Sequence, residues 1–220
     1  MADSTVPAPS ARTTVRRGAN RALYEQDNVK LILDAGMIAH VGVQTPDGPL
    51  VLPMAYGRDD DTLYLHGAAA NHILGTGIGH QICATVTHVD GLVMARTPFH
   101  NSMNYRSVVV RGLATKIEDK DAKLRALKII TDHVVENWDV GRAVSNIDEK
   151  KTLVLEMPLA EASAKVRAGD PIDEDDDMAG PWWAGVIPIE TRIGEAYPAA
   201  DLTGTNPLPA AYASLTNRVL

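Results

Sequence analysis

The chain holds one cysteine, Cys83, in 220 residues. No intramolecular disulfide can form, and neither a two-thiolate nor a four-thiolate zinc site can be assembled. A reducing cytoplasm is the expected setting. No stretch approaches the roughly 18 uninterrupted apolar residues that a membrane span needs. The opening segment up to Ala22 also lacks the apolar core of a signal peptide, so a soluble, unexported protein without membrane partners is expected. Positive charge is in deficit: 21 Lys and Arg against 28 Asp and Glu give a net charge of −7. Nothing in that balance attracts nucleic acid or acidic lipid, and any phosphate must be gripped locally. Aromatic residues are scarce, with a single Phe and three Trp. The pair Trp182 and Trp183 in PWWAGVIP therefore stands out. An indole offers a stacking platform for a planar ring, and equally a way to pin a C-terminal segment onto a sheet.

What is present is rich in strand and turn signals. Residues 1–20 are Ser, Thr, Pro, Ala and Arg without periodicity and read as a mobile arm. Asn28 to Ala35 suit a short helix, with Gly36 supplying a left-handed end. MIAHVGVQ, LVLPMAYG and TLYLHG follow as three β-rich runs, separated by the turns TPDGP and RDDD. In ICATVTHVDGLVMART, Asp90-Gly91 between β-branched runs predicts a hairpin turn. NYRSVVVRGLATKIED is a further strand. Leu124, Leu127, Ile130 and Val134 then mark a helix, with Asp119 or Asp121 as its N-cap. KKTLVLEMPL closes the sheet, and the acidic run Asp173 to Asp177 reads as a solvated loop. The expected fold is mainly β: a split antiparallel barrel of six or seven strands with a few flanking helices, its main domain over 21–190 and a C-terminal extension over 191–220. A barrel this small fills its interior with side chains, so a ligand lies on its wall or at a seam with a second subunit.

Polar residues crowd the start of one strand in FHNSMNYRSVVVRG. Alternation puts Asn104 and Arg106 on one face, and Tyr105 and Ser107 on the other. The guanidinium of Arg106 suits a phosphate bidentately, with Ser102 or Ser107 adding a hydroxyl, and it suits a neighbouring carboxylate equally well. In TLYLHGAAANHILGTG a strand ends at His66-Gly67 among small residues that let a ligand approach the backbone. A helix starting near Asn71 offers free amides. His66, His88 and His100 fall near strand ends without metal-ligand spacing, so no metal site is expected.

Taken in order, LILDAGMIAHVGVQTPDGPLVLPMAYG, LYLHGAAANHIL, CATVTHVDGLVMARTPFHNSMNYRSVVVRG, AEASAKVRAGDP and WAGVIP resemble the pyridoxamine 5′-phosphate oxidase-like superfamily, in its nitroimidazole-resistance reductase-like, flavin-nucleotide-binding branch. The resemblance implies a split barrel and a homodimer with FMN in a groove shared by the subunits. It implies that His66, Gly67, Ala68, Asn71, His72, Thr85, Thr87, Ser102, Asn104, Tyr105, Arg106 and Ser107 line the cofactor, with Trp183 closing over the ring. It also implies an oxidoreductase that takes electrons from a reduced nicotinamide and gives them to a nitroaromatic, quinone or flavin, with His66 or Tyr105 as proton donor. The turn after His66-Gly67-Ala68 lacks the basic residue common in that branch. FAD, a deazaflavin or haem therefore stand as alternatives to FMN, and a non-catalytic flavin or haem carrier as an alternative to the enzyme. No second basic cluster is visible for a second phosphate.

Overall fold

The computed structural model describes residues 6–70, 72–204 and 206–219, without the side chains of 72 and 73. Among them run ten strands: β1 (Ala22–Leu23), β2 (Ile38–Thr45), β3 (Gly48–Asp59), β4 (Thr62–Ala68), β5 (Gln81–Met94), β6 (Ser102–Leu113), β7 (Thr115–Lys116), β8 (Thr152–Pro158), β9 (Glu161–Arg167) and β10 (Gly185–Pro188). Five α-helices accompany them: α1 (Gln26–Ala35), α2 (His72–Thr76), α3 (Lys120–Val134), α4 (Asn146–Lys150) and α5 (Ala210–Ala213). None is long and apolar enough to cross a membrane. The count exceeds the six or seven strands expected because β1, β7 and β10 span only two to four residues, too few for a period to register, and because AEASAKV alternates small residues with polar ones.

The chain divides into two compact units. The first comprises Met1–Gly36, Thr85–Val110 and Glu161–Glu190. Its strands run in the order β1, β9, β6, β5, with β10 added to β5. Buried Val29, Ile32 and Leu33 give α1 its apolar face. Gly36 is extended (φ −93°) and not left-handed, because the chain passes straight from α1 into β2. The hairpin expected at Asp90-Gly91 is absent, and β5 runs unbroken through both residues. Gly91 pairs with Pro188 of β10. A Cβ there would stand 3.1 Å from both the Ile187 carbonyl oxygen and a Val186 methyl, so close approach of the added strand, not a turn, explains this glycine. Residues 6–20 are packed at Thr13, which is 5% exposed, and Arg12 pairs with Glu161.

The second unit comprises Met37–Ala84, Arg111–Ala160 and Thr191–Leu220, with strand order β2, β3, β4, β8, β7. β2 and β3 form a hairpin closed by Thr45 opposite Gly48. Gly48 has φ +118°, a value that favours glycine. β3 and β4 close at Asp59 opposite Thr62. Asp119 is the cap of α3, accepting from the Ala122 amide at 2.8 Å. That helix lays Ala126 and Ile130 on Ile117 and Val154, with Tyr64, Ala122 and Leu127 packed around them. Val134, expected on the same apolar face, is 37% exposed at the helix end. Gly57 lets α3 approach β3, since a Cβ there would lie 2.6 Å from the Ile130 Cα. The C-terminal segment belongs to this unit, and Tyr212 hydrogen-bonds Asn137.

Candidate functional site

The sequence-predicted residues fall into both units. His66, Gly67, Ala68 and His72 lie in the second. Along β4, Leu63 and Leu65 are fully buried, so Tyr64 and His66 share the opposite face. Tyr64 packs against the α3 cluster. His66 pairs across the ladder with Val154 of that cluster, Gly67 with Leu153 and Ala68 with Thr152. The Nδ1 atom of His66 is buried and has no hydrogen-bond partner among the described residues. Burial holds its pKa below the ordinary histidine value and keeps the ring neutral. Small residues follow directly, Ala68, Ala69 and Ala70, and the Ala69 amide bonds the Lys151 carbonyl at 2.7 Å. His72 opens α2, while Asn71, expected as its cap, lies outside the described residues.

Thr85, Thr87, Ser102, Asn104, Tyr105, Arg106, Ser107 and Trp183 lie in the first unit. Thr85 and Thr87 point away from the buried face formed by Ile82, Ala84 and Val86. The polar block opening β6 is tied internally. Asn104 is buried, donates to the Gly169 carbonyl at 3.2 Å and accepts from Arg167. Ser107 donates to the Lys165 carbonyl at 3.3 Å. The Arg106 fork takes Asp90, Nη2 at 2.8 Å and Nε at 3.0 Å. His88 and His100 each hold a backbone carbonyl, of Ile32 at 3.1 Å and of Ile172 at 3.0 Å.

Two buried charged groups escaped the sequence reading. Arg167, 5% exposed at the end of β9, donates to the carbonyls of Gly169 and Asp170 and to Asn104, and has no carboxylate partner among the described residues. Burial lowers its pKa first and the like charge of Arg21 second, while Tyr105 opposes them, so two guanidinium groups lie near Tyr105. Its only sequence signal was its place in AEASAKVRAGDP. Asp173, expected in a solvated loop, is instead the buried carboxylate of an ion pair with Arg96. Its side chain is 1% exposed, and it accepts from both the amide and the guanidinium of Arg96 at 2.8 Å. Of the rest of that run, Glu174, Asp175 and Asp176 are exposed and Asp177 is half-buried.

Both tryptophans of the late pair are largely open, and each lies over a glycine. A Cβ on Gly180 would strike the Trp182 ring, and one on Gly185 would meet Trp183 at 2.9 Å. Phe99, the only Phe, is 91% exposed.

Antiparallel sheet with few helices, and these residues at its strand ends, define the mainly β split-barrel class. The profile of the pyridoxamine 5′-phosphate oxidase family matches residues 25–166, and the chain belongs to that family of flavin-binding split barrels. Among solved structures it is similar to the flavocytochrome Anf3 from Azotobacter vinelandii. The two are 37% identical over 96% of this chain and 99% of that one, with a TM-score of 0.91. It is also similar to an FAD and heme binding protein from Mycobacterium smegmatis, at 30% identity over 90% and 98% of the two chains and a TM-score of 0.85. A candidate 5-nitroimidazole antibiotic resistance protein from Bacteroides thetaiotaomicron is 25% identical over 66% of this chain and 86% of its own, with a TM-score of 0.57. Comparison with curated proteins gives no match.

Proposed function

We propose that this protein holds a flavin and a haem and acts as an oxidoreductase, carrying electrons from a reduced nicotinamide to a small electrophilic acceptor. The observation that carries the haem half is the buried, unpartnered Nδ1 of His66. A histidine that serves as an axial ligand must be neutral, with one ring nitrogen free for the iron. Of the three histidines weighed from the sequence, His88 and His100 each have one ring nitrogen on a backbone carbonyl, and His66 alone has a buried ring nitrogen without a partner among the described residues. The same burial makes His66 a poor proton donor at neutral pH, so that role falls to Tyr105. Similarity over nearly the whole chain to a flavocytochrome and to an FAD and heme binding protein supports the pairing of cofactors.

For the flavin, the residues present fit a phosphate-bearing ring system. Arg167 and Arg21 leave positive charge beside Tyr105, whereas Arg106 is engaged by Asp90. Asn104 and Ser102 line the same strand entrance, and Trp183 offers an open indole. When bound, a flavin accepts electrons in pairs and a haem passes them singly. A second copy of the chain, covering Phe99, Trp182 and Trp183, is part of this reading.

The test is an absorption spectrum of the purified protein, with chromatography of the released chromophores, repeated on His66→Ala. The expected result is flavin and Soret bands in the parent and loss of the Soret band alone in the variant. A Soret band that survives in His66→Ala rejects the axial assignment, and a colourless parent rejects the whole reading. Flavin without haem would leave a plain flavin reductase, which the likeness to the nitroimidazole resistance protein favours.

A further inference from the structure

Within the second unit a cleft of about 540 Å³ opens at the end of β4, walled by Ile78 and Leu153 and edged by Lys116, Lys123, Lys150 and Thr152. These lysines come from β7, the first turn of α3 and the end of α4, and among the lining residues there is no carboxylate. Their charges are unequally compensated. Lys123, 11% exposed at its side chain, is held by the Glu149 carboxylate at 2.7 Å and by the Glu149 carbonyl at 2.8 Å. Lys116 makes a more open pair with Glu118, whose side chain is 75% exposed, and such a contact is readily exchanged for a ligand. Lys150 has no ion pair among the described residues. One ammonium is therefore fixed, and two are available above an apolar wall. The volume lies within the range of small-molecule sites, and ammonium groups suit phosphate as point charges.

We infer that this cleft binds the phosphates of a nucleotide, with Lys116 and Lys150 as the contacting cations and Ile78 and Leu153 as the wall for its base. Lys123, locked by Glu149, positions the rim. Inorganic phosphate would leave the apolar wall uncovered, whereas a nucleotide uses both features. Two sources share this chemistry: the adenosine diphosphate arm of FAD held by the same chain, or a free nucleotide such as a nicotinamide donor. The first rests on the proposed flavin reading, and the second does not. Lys116 and Lys150 would supply the phosphate counter-charge that the turn after His66-Gly67-Ala68 lacks.

The experiment titrates ADP and pyrophosphate calorimetrically into the purified full chain and into the double variant Lys116→Ala/Lys150→Ala, with FAD retention on ultrafiltration measured in parallel. The double Arg variant, Lys116→Arg/Lys150→Arg, is the conservative control, and Lys123 is left intact because its pair is buried. If ADP binds the parent and is weakened at least about tenfold in the Ala variant but not in the Arg variant, the free-nucleotide form stands. If the parent refuses ADP while the Ala variant sheds FAD at least about tenfold faster, the flavin-arm form stands. If the parent carries no flavin yet binds ADP through the lysines, the inference stands and the flavin reading fails. Unchanged ADP binding together with unchanged FAD retention overturns the inference, as does a variant that loses only haem.

Discussion

At the scale of single residues, burial decides which polar groups matter. Asp173 is the clearest case, because an almost wholly buried carboxylate serves both the amide and the side chain of Arg96, whose Nε is itself buried without a partner among the described residues. Asp173→Ala would leave that guanidinium uncompensated and is expected to destabilise the fold by on the order of 3 kcal/mol, read from urea unfolding. Arg106 and Asp90 are each about a third exposed, so the same loss there is expected to stay under about 1 kcal/mol despite three hydrogen bonds. His66 gives a pH dependence of definite sign. Its folded pKa lies below the ordinary value near 6.5, so the unfolded chain takes up the proton first as pH falls. Stability is therefore full above that value and declines below it. Melting temperatures of the cofactor-free protein between pH 7.5 and 5.5 should fall less steeply for His66→Gln than for the parent.

At the scale of elements, two glycines set spacing between backbones. Gly57→Ala would place a methyl carbon 2.6 Å from the Ile130 Cα and 2.7 Å from its nitrogen, and backbone cannot swing aside as a side chain can. A loss of about 2 kcal/mol is expected, with α3 displaced from β3, measurable by chemical denaturation. Asp119→Ala should cost about 1 kcal/mol by freeing the Ala122 amide at the start of the same helix. These elements show how far local pattern reaches. The turn before Gly48, the turn around Asp60 and the Asp119 cap were legible because each depends on a few adjacent residues. The hairpin at Asp90-Gly91 was misread because a glycine that admits a neighbouring strand looks, in sequence, like a glycine that admits a turn.

At the scale of the whole molecule, the exposed aromatic side chains bear on assembly. Phe99 at 91% exposure, Trp183 at 65% and Trp182 at 58% are large apolar groups that a second copy would cover in the proposed homodimer. Light scattering coupled to size exclusion is expected to give twice the mass of 23.6 kDa. Phe99→Asp should shift the population toward monomer at micromolar concentration. A monomeric parent would remove the shared groove from the functional reading while leaving His66 and the lysine cleft untouched.

By itself the sequence determined the class of fold, because alternation, turn residues and ordered family segments are written in consecutive positions. It also marked His66 and the polar block that opens β6. Which histidine keeps a buried ring nitrogen without a partner was decided only by tertiary structure, since burial depends on what packs above a strand and not on the strand itself. The same holds for Asp173, drawn out of an acidic run into a buried pair. It holds most fully for the second basic cluster, invisible along the chain because Lys116, Lys123 and Lys150 are carried by separate elements and meet only where β7, α3 and α4 converge on the end of β4.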